Sequence, residues 1–118
     1  MDKVTYGKLG EDEAQNYLIK HGYKIVERNY KLKYGEVDII ALKNKVIIFV
    51  EVKTRLSDLF GAPAEAVDIK KQQKIIKVAK QYLLRKNIYD CPCRFDIVEV
   101  YLKDGRCKIN HIEDAFWA

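Results

Sequence analysis

Apolar residues recur near a 3.6-residue period from about Thr5 to His21, where Leu9, Ala14, Tyr17 and Leu18 align and Gly22 supplies a stop. This spacing predicts a first helix. Glu11 precedes Ala14 by three residues and Leu18 by seven, which places its carboxylate beside the stripe that should face the core. The period then shortens to two. Lys24 to Asn29, Tyr34 to Leu42 and Lys45 to Thr54 read as strands, the last two rich in Val, Ile and Phe, and their short polar connections predict an antiparallel meander. Arg55 to Pro63, with Ser57, Asp58, Gly61 and Pro63, reads as a loop. Helical spacing resumes from roughly Ala64 to Lys86, with Val67, Ile75, Val78, Ala79 and Tyr82 among its apolar positions. Strands from about Cys93 to Leu102 and from Arg106 to Ile112, joined by an Asp104-Gly105 turn, complete an α/β order of α-β-β-β-α-β-β.

The chain has 118 residues, 48% of them hydrophobic and 33% charged, which suits one domain with a real core and excludes a disordered or low-complexity chain. The longest apolar run, Val46 to Val50, is too short to span a bilayer, and the N-terminal stretch is polar where a signal peptide would be apolar. A soluble cytoplasmic protein without membrane contact is expected. Its three cysteines cannot make a complete disulfide framework. Cys91, Cys93, Cys107 and His111 superficially resemble a zinc set. The Asp104-Gly105 hairpin, however, pairs Leu102 with Cys107 and leaves Cys93 about 30 Å further along the strand. The cysteines are therefore read as free thiols.

Charge sharpens the picture. Lys and Arg number 22 against 17 Asp and Glu, a net of +5, and between Asp68 and Asp90 the basic residues meet no acid at all. Lys70, Lys74 and Lys77 follow helical spacing along one face, opposite much of the apolar stripe. Such a row suits phosphates of a nucleic acid, and it also suits a plain solvated helix face.

Three charged groups, Asp38, Glu51 and Lys53, interrupt strands that otherwise look buried. If Asn44-Lys45 is a two-residue turn, Lys43 faces Val46 and Asp38 comes opposite Glu51. Alternation then puts Asp38, Glu51, Lys53 and Arg55 on one sheet face. A three-residue loop would instead pair Asp38 with Val50 and send Glu51 to the other face unless a bulge restored it. Two facing carboxylates repel, and Mg²⁺ or Mn²⁺ is the natural neutraliser for an oxygen-only ligand set. Such an ion would polarise a phosphate and lower the pKa of bound water, with Lys53 beside the nucleophile and Arg55 near a neighbouring phosphate. The bland alternative is an ion pair of Lys53 with Glu51 or Asp38 on an open face. Glu36 is read as directed away from Asp38 and as structural. Arg94 with Asp96 reads as a local pair, and Tyr6, Tyr34 and Phe60 as packing residues with some capacity to stack on bases. No Ser or Cys has an identifiable base neighbour, so triad chemistry has no support.

Asp38 with Glu51-Val52-Lys53 resembles the PD-(D/E)xK signature of restriction-endonuclease-like nucleases, with Val37 where the signature has proline. The resemblance extends further. Gly10-Glu11, Gly22-Tyr23, Arg28-Asn29, Gly35-Glu36-Val37-Asp38, Phe49 to Arg55, Phe60-Gly61, Ala66-Val67, Lys70, Arg94-Phe95-Asp96, His111-Ile112 and Ala115-Phe116 are similar to the small bacterial YraN-like family, grouped with archaeal-type Holliday junction resolvases. The resemblance implies a restriction-endonuclease-like core with a central mixed sheet flanked by helices. It also implies a metal-dependent endonuclease acting on DNA, with branched structures as candidate substrates. Asp38, Glu51 and Glu11 would be the metal ligands, Lys53 the activating amine, Lys70 or Gln73 a contributor from the second helix, and Arg55, Lys70, Lys74 and Lys77 the nucleic-acid contacts. A homodimer is open by the same resemblance. A nucleic-acid-binding module without turnover and a protein-interaction module are the competing readings.

Overall fold

The computed structural model describes residues 3–56 and 67–118. Helix α1 (Lys3–Lys20) is followed by strands β1 (Lys24–Leu32), β2 (Gly35–Lys43) and β3 (Val46–Arg55), then helix α2 (Ile69–Arg85) and strands β4 (Cys93–Lys103) and β5 (Arg106–Phe116). The expected α-β-β-β-α-β-β order is what the chain adopts. The expected loop over Arg55 to Pro63 and the expected helix start at Ala64 fall mostly outside the described residues. Within them, Val67 and Asp68 precede the helix, and α2 begins only at Ile69. Asp68 explains that boundary: extended at its own backbone, it accepts the Lys71 N–H at 2.8 Å as an N-cap.

One mixed five-stranded sheet runs in the order β1-β2-β3-β4-β5, with β3 and β4 parallel and the other neighbours antiparallel. The parallel pair requires a crossover, and α2 lies within it. Asn44 and Lys45 both take positive φ, 50° and 66°, which is the two-residue turn that matches strand twist. Lys43 accordingly pairs with Val46, and the register is the even one. The second hairpin pairs Lys103 with Arg106 and Leu102 with Cys107, also as the sequence predicts.

The sheet has a helix on each face. Val37, Ile40, Phe49, Phe95 and Ile97 pack with Ile75, Val78, Ala79 and Tyr82 of α2. Ile39, Ala41, Ile48, Val50, Val98 and Val100 pack with Ala14 and Leu18 of α1. Helix α1 comes so close to β3 that a Cβ at Gly10 would overlap the Thr54 side chain, which sets Glu11 beside the end of the sheet. Among the described residues no helix is long and apolar enough to cross a membrane.

Candidate metal centre

The β2–β3 ladder stops at the pair Ile39 and Val50, so the next residues, Asp38 and Glu51, stand where the strands begin to part. The Val52 N–H, freed from the ladder, donates to Asp38 Oδ2 at 2.8 Å. Burial, the charge of Glu51 and carboxyl-to-carboxyl hydrogen bonding with it push the Asp38 carboxyl up to about 9, with Glu11 adding to the rise and the Val52 N–H opposing it. Glu51 is only 7% exposed. Its one described cation is the Lys71 ammonium, 3.7 Å from Oε2. Two carboxyls in this position share a proton or take up a cation.

On the other side of β2 the strand changes face at Asp38. Val37 packs under α2 and Ile39 under α1, although residues two apart in a regular strand share a face. The neighbouring β1 shows the same irregularity: Arg28 pairs with Ile39 and Tyr30 with Val37, while Asn29 between them has φ of 51°. This kink gathers three acids. Single oxygens of Glu11, Glu36 and Asp38 lie within 4.8 Å of one another, a spacing that can hold a metal ion. Glu36 thus belongs to the cluster, which corrects its reading as a structural residue directed away from Asp38. Asn29 clamps the cluster from outside, its Nδ2 donating to Glu11 Oε1 at 2.9 Å and to Glu36 Oε1 at 3.3 Å. Arg28 adds its charge at 3.4 Å from Glu11 while bonding Asp12 at 2.8 Å. The set offers only oxygen ligands, which suits a hard cation, and Asp38 belongs to both carboxylate groupings.

A cavity of about 420 Å³ opens over these groups, and Glu11, Asp38, Glu51 and Lys53 all line it. The structure therefore brings together all four residues assigned to the centre from the sequence. From α2 the side chain that arrives is Lys71, in place of Lys70 or Gln73, because the cap at Asp68 fixes the helix phase. Arg55 lies one turn of the pleat beyond Lys53, and its Nη2 bonds Glu99 Oε2 at 3.1 Å. Glu99 is 1% exposed and also accepts from Asn110 at 2.8 Å and Tyr101 at 3.3 Å. Lys70, Lys74 and Lys77 are exposed. Lys74 flanks Gly35, and the Lys77 ammonium sits 4.4 Å from the centre of the Tyr34 ring. The row thus crosses the β1–β2 turn near the start of the strand that carries Asp38.

A second acidic grouping, Asp96, His111 and Glu113, has similar spacing. Its chemistry differs. Asp96 takes two bonds of 2.8 Å from Arg94, one of 2.7 Å with His111 Nε2 and one of 3.0 Å from the Asp114 N–H. Its oxygens are filled by the protein, so Arg94 with Asp96 is a pair within a larger network that also includes Tyr17 and Tyr23.

The family model "Uncharacterised protein family UPF0102" matches residues 10–100. The chain belongs to this family. The UPF0102 protein of Caldanaerobacter subterraneus subsp. tengcongensis is 52% identical over 119 residues, covering 98% of either chain. The relative from Clostridioides difficile strain 630 is 51% identical over 116 residues, covering 98% of this chain and 100% of its own. UPF0102 is the YraN-like family that the motifs resemble, so that expectation holds. Among solved structures, the chain is similar to Pyrococcus furiosus SfsA in complex with Ca²⁺, with a TM-score of 0.42 and 17% identity over 95% of this chain and 64% of that one.

Proposed function

We propose that the chain is a metal-dependent endonuclease that hydrolyses phosphodiester bonds of DNA, with branched structures as the first substrates to test. The observation that supports it most is the placement of Asp38 and Glu51 together at the parting of β2 and β3, with Lys53 lining the same cavity. Asp38, Glu51 and Glu11 would hold Mg²⁺ or Mn²⁺, and Glu36 joins them as a fourth candidate ligand. A bound ion of this kind supplies charge to a phosphoryl oxygen and acidifies a water. Without an ion Asp38 stays protonated beside Glu51 at neutral pH, and holding a cation would require it to give that proton up. Lys53 lines the cavity, where its ammonium would orient the nucleophile and offset charge developing on phosphorus. Lys71 pairs with Glu51 and would yield that oxygen to a bound ion. Lys70, Lys74 and Lys77 would hold the sugar-phosphate backbone, which favours recognition of shape over sequence.

The test is a nicking assay on branched and linear DNA in Mg²⁺ and in Mn²⁺, comparing wild type with Asp38→Asn and Lys53→Ala. Cleavage should need the metal and disappear in both variants. Salt-sensitive binding without cleavage under either metal would replace this reading with a binding module. Absence of DNA binding at low salt would favour a protein-interaction module.

A further inference from the structure

A second cavity, of about 540 Å³, lies between the start of α1 and the β4–β5 hairpin. That volume is in the range of small-molecule sites, roughly 300–1,000 Å³. It adjoins the metal-centre cavity directly, since Tyr6 and Leu56 line both. Part of its lining is apolar: Leu9, Leu56 and Leu102 line it together with Tyr6, and Leu9 and Leu56 are exposed. Its charges cancel. Lys103 and Arg106, paired across the hairpin, are balanced by Asp104 and Glu13. A track for phosphates alone would be lined by cations, as the α2 row is. A neutral groove with an aromatic wall and two cations on exposed hairpin positions suits the flat face of a base whose own phosphate reaches Lys103 or Arg106.

We propose that this groove receives an unpaired nucleobase next to the phosphate that a cation held by Asp38 and Glu51 would bind, so that the substrate is DNA with a single-stranded tail or gap beside the cut. The inference rests on the endonuclease reading of the neighbouring site. Bases in an intact duplex are stacked inside and cannot present a face to a side cavity, whereas a frayed or tailed strand can. Tyr6 is the stacking group, and the leucines exclude water from the opposite face of the base.

The test uses the full chain with duplexes carrying a 5′ or a 3′ tail, with 2-aminopurine placed in turn at each of the first unpaired positions, in Ca²⁺ and in EDTA. One or two positions should show fluorescence quenching on binding. Tyr6→Ala should remove that quenching and lower affinity for the tailed duplex by about tenfold, with affinity for a blunt duplex unchanged. Tyr6→Phe should retain both. Because a change at the start of α1 can disturb folding, the exposed pair Lys103→Ser with Arg106→Ser gives an independent readout: weaker binding of the tailed duplex and equal binding of the blunt one. Equal binding of tailed and blunt DNA, with 2-aminopurine insensitive to Tyr6→Ala, overturns the groove assignment and leaves the endonuclease reading intact. Binding of neither DNA overturns both.

Discussion

Asp96 on β4 has no exposed surface and four bonds from Arg94, His111 and the Asp114 N–H, whereas Asp38 on β2 has one backbone donor and a second carboxyl as its neighbour. Burial acts to raise both. At Asp96 the His111, Arg94 and Asp114 bonds outweigh it and hold the carboxyl below the ordinary range, while at Asp38 the nearby Glu51 adds to it. The comparison separates two uses of the same residue type. Where the chain supplies its own donors, the carboxylate ties elements together; where it supplies another acid, the arrangement requires something from outside.

The largest effect should come from breaking the satisfied site. Asp96→Ala leaves the Arg94 and His111 groups without their acceptor and should cost about 3–5 kcal/mol, read from urea unfolding. Its pH signature follows from the lowered carboxyl: the contribution is present above the unfolded value of 3.8 and is lost as pH falls through the folded one. Asp38→Asn should have the opposite sign. Replacing a carboxyl that must take up a proton on folding with a neutral amide should stabilise the metal-free protein at neutral pH by on the order of 1 kcal/mol, a Tm rise of roughly 4–6 °C, while abolishing Mn²⁺ binding in a calorimetric titration.

Wild type in EDTA should show the matching pH dependence. The unfolded Asp38 loses its proton near 3.8 and the folded one keeps it to about 9, so the native state binds more protons in between and stability falls as pH rises across that window. Added Mn²⁺ should restore it at the alkaline end, and Asp38→Asn should flatten the slope in thermal melts. Asn29→Gly is a finer probe, because glycine accepts the positive φ and removes only the amide that holds Glu11 and Glu36. Mn²⁺ affinity should drop about tenfold by the same titration. The smallest expected change in stability is for Lys71→Ala. This half-exposed ammonium at 3.7 Å from Glu51 should contribute under about 1 kcal/mol, and its loss should tighten Mn²⁺ binding by removing a competing cation.

The facing of Asp38 and Glu51 was legible because one turn, Asn44-Lys45, fixes the register of every residue behind it. Asp104-Gly105 did the same for the second hairpin. Glu36 and Asn29 were not legible as partners of Glu11, since alternation assumes a regular strand and β2 turns over at Asp38. Lys71 escaped for a related reason: neighbouring lysines on a helix point about 100° apart, and the Asp68 cap decides which one meets Glu51. The Asp96 network joins α1, the α1–β1 connection, β4 and β5 through residues far apart in the chain, and no local pattern encodes it.

The tight seat of Gly10 on Thr54 gives the third carboxylate an unusual dependence. Any side chain at that position acts as a wedge under α1, and the first thing it lifts is Glu11, one residue along. The acid would leave its companions before the leucine and alanine packing further down the helix lost contact, so one added methyl group could disarm the centre in a chain that still folds.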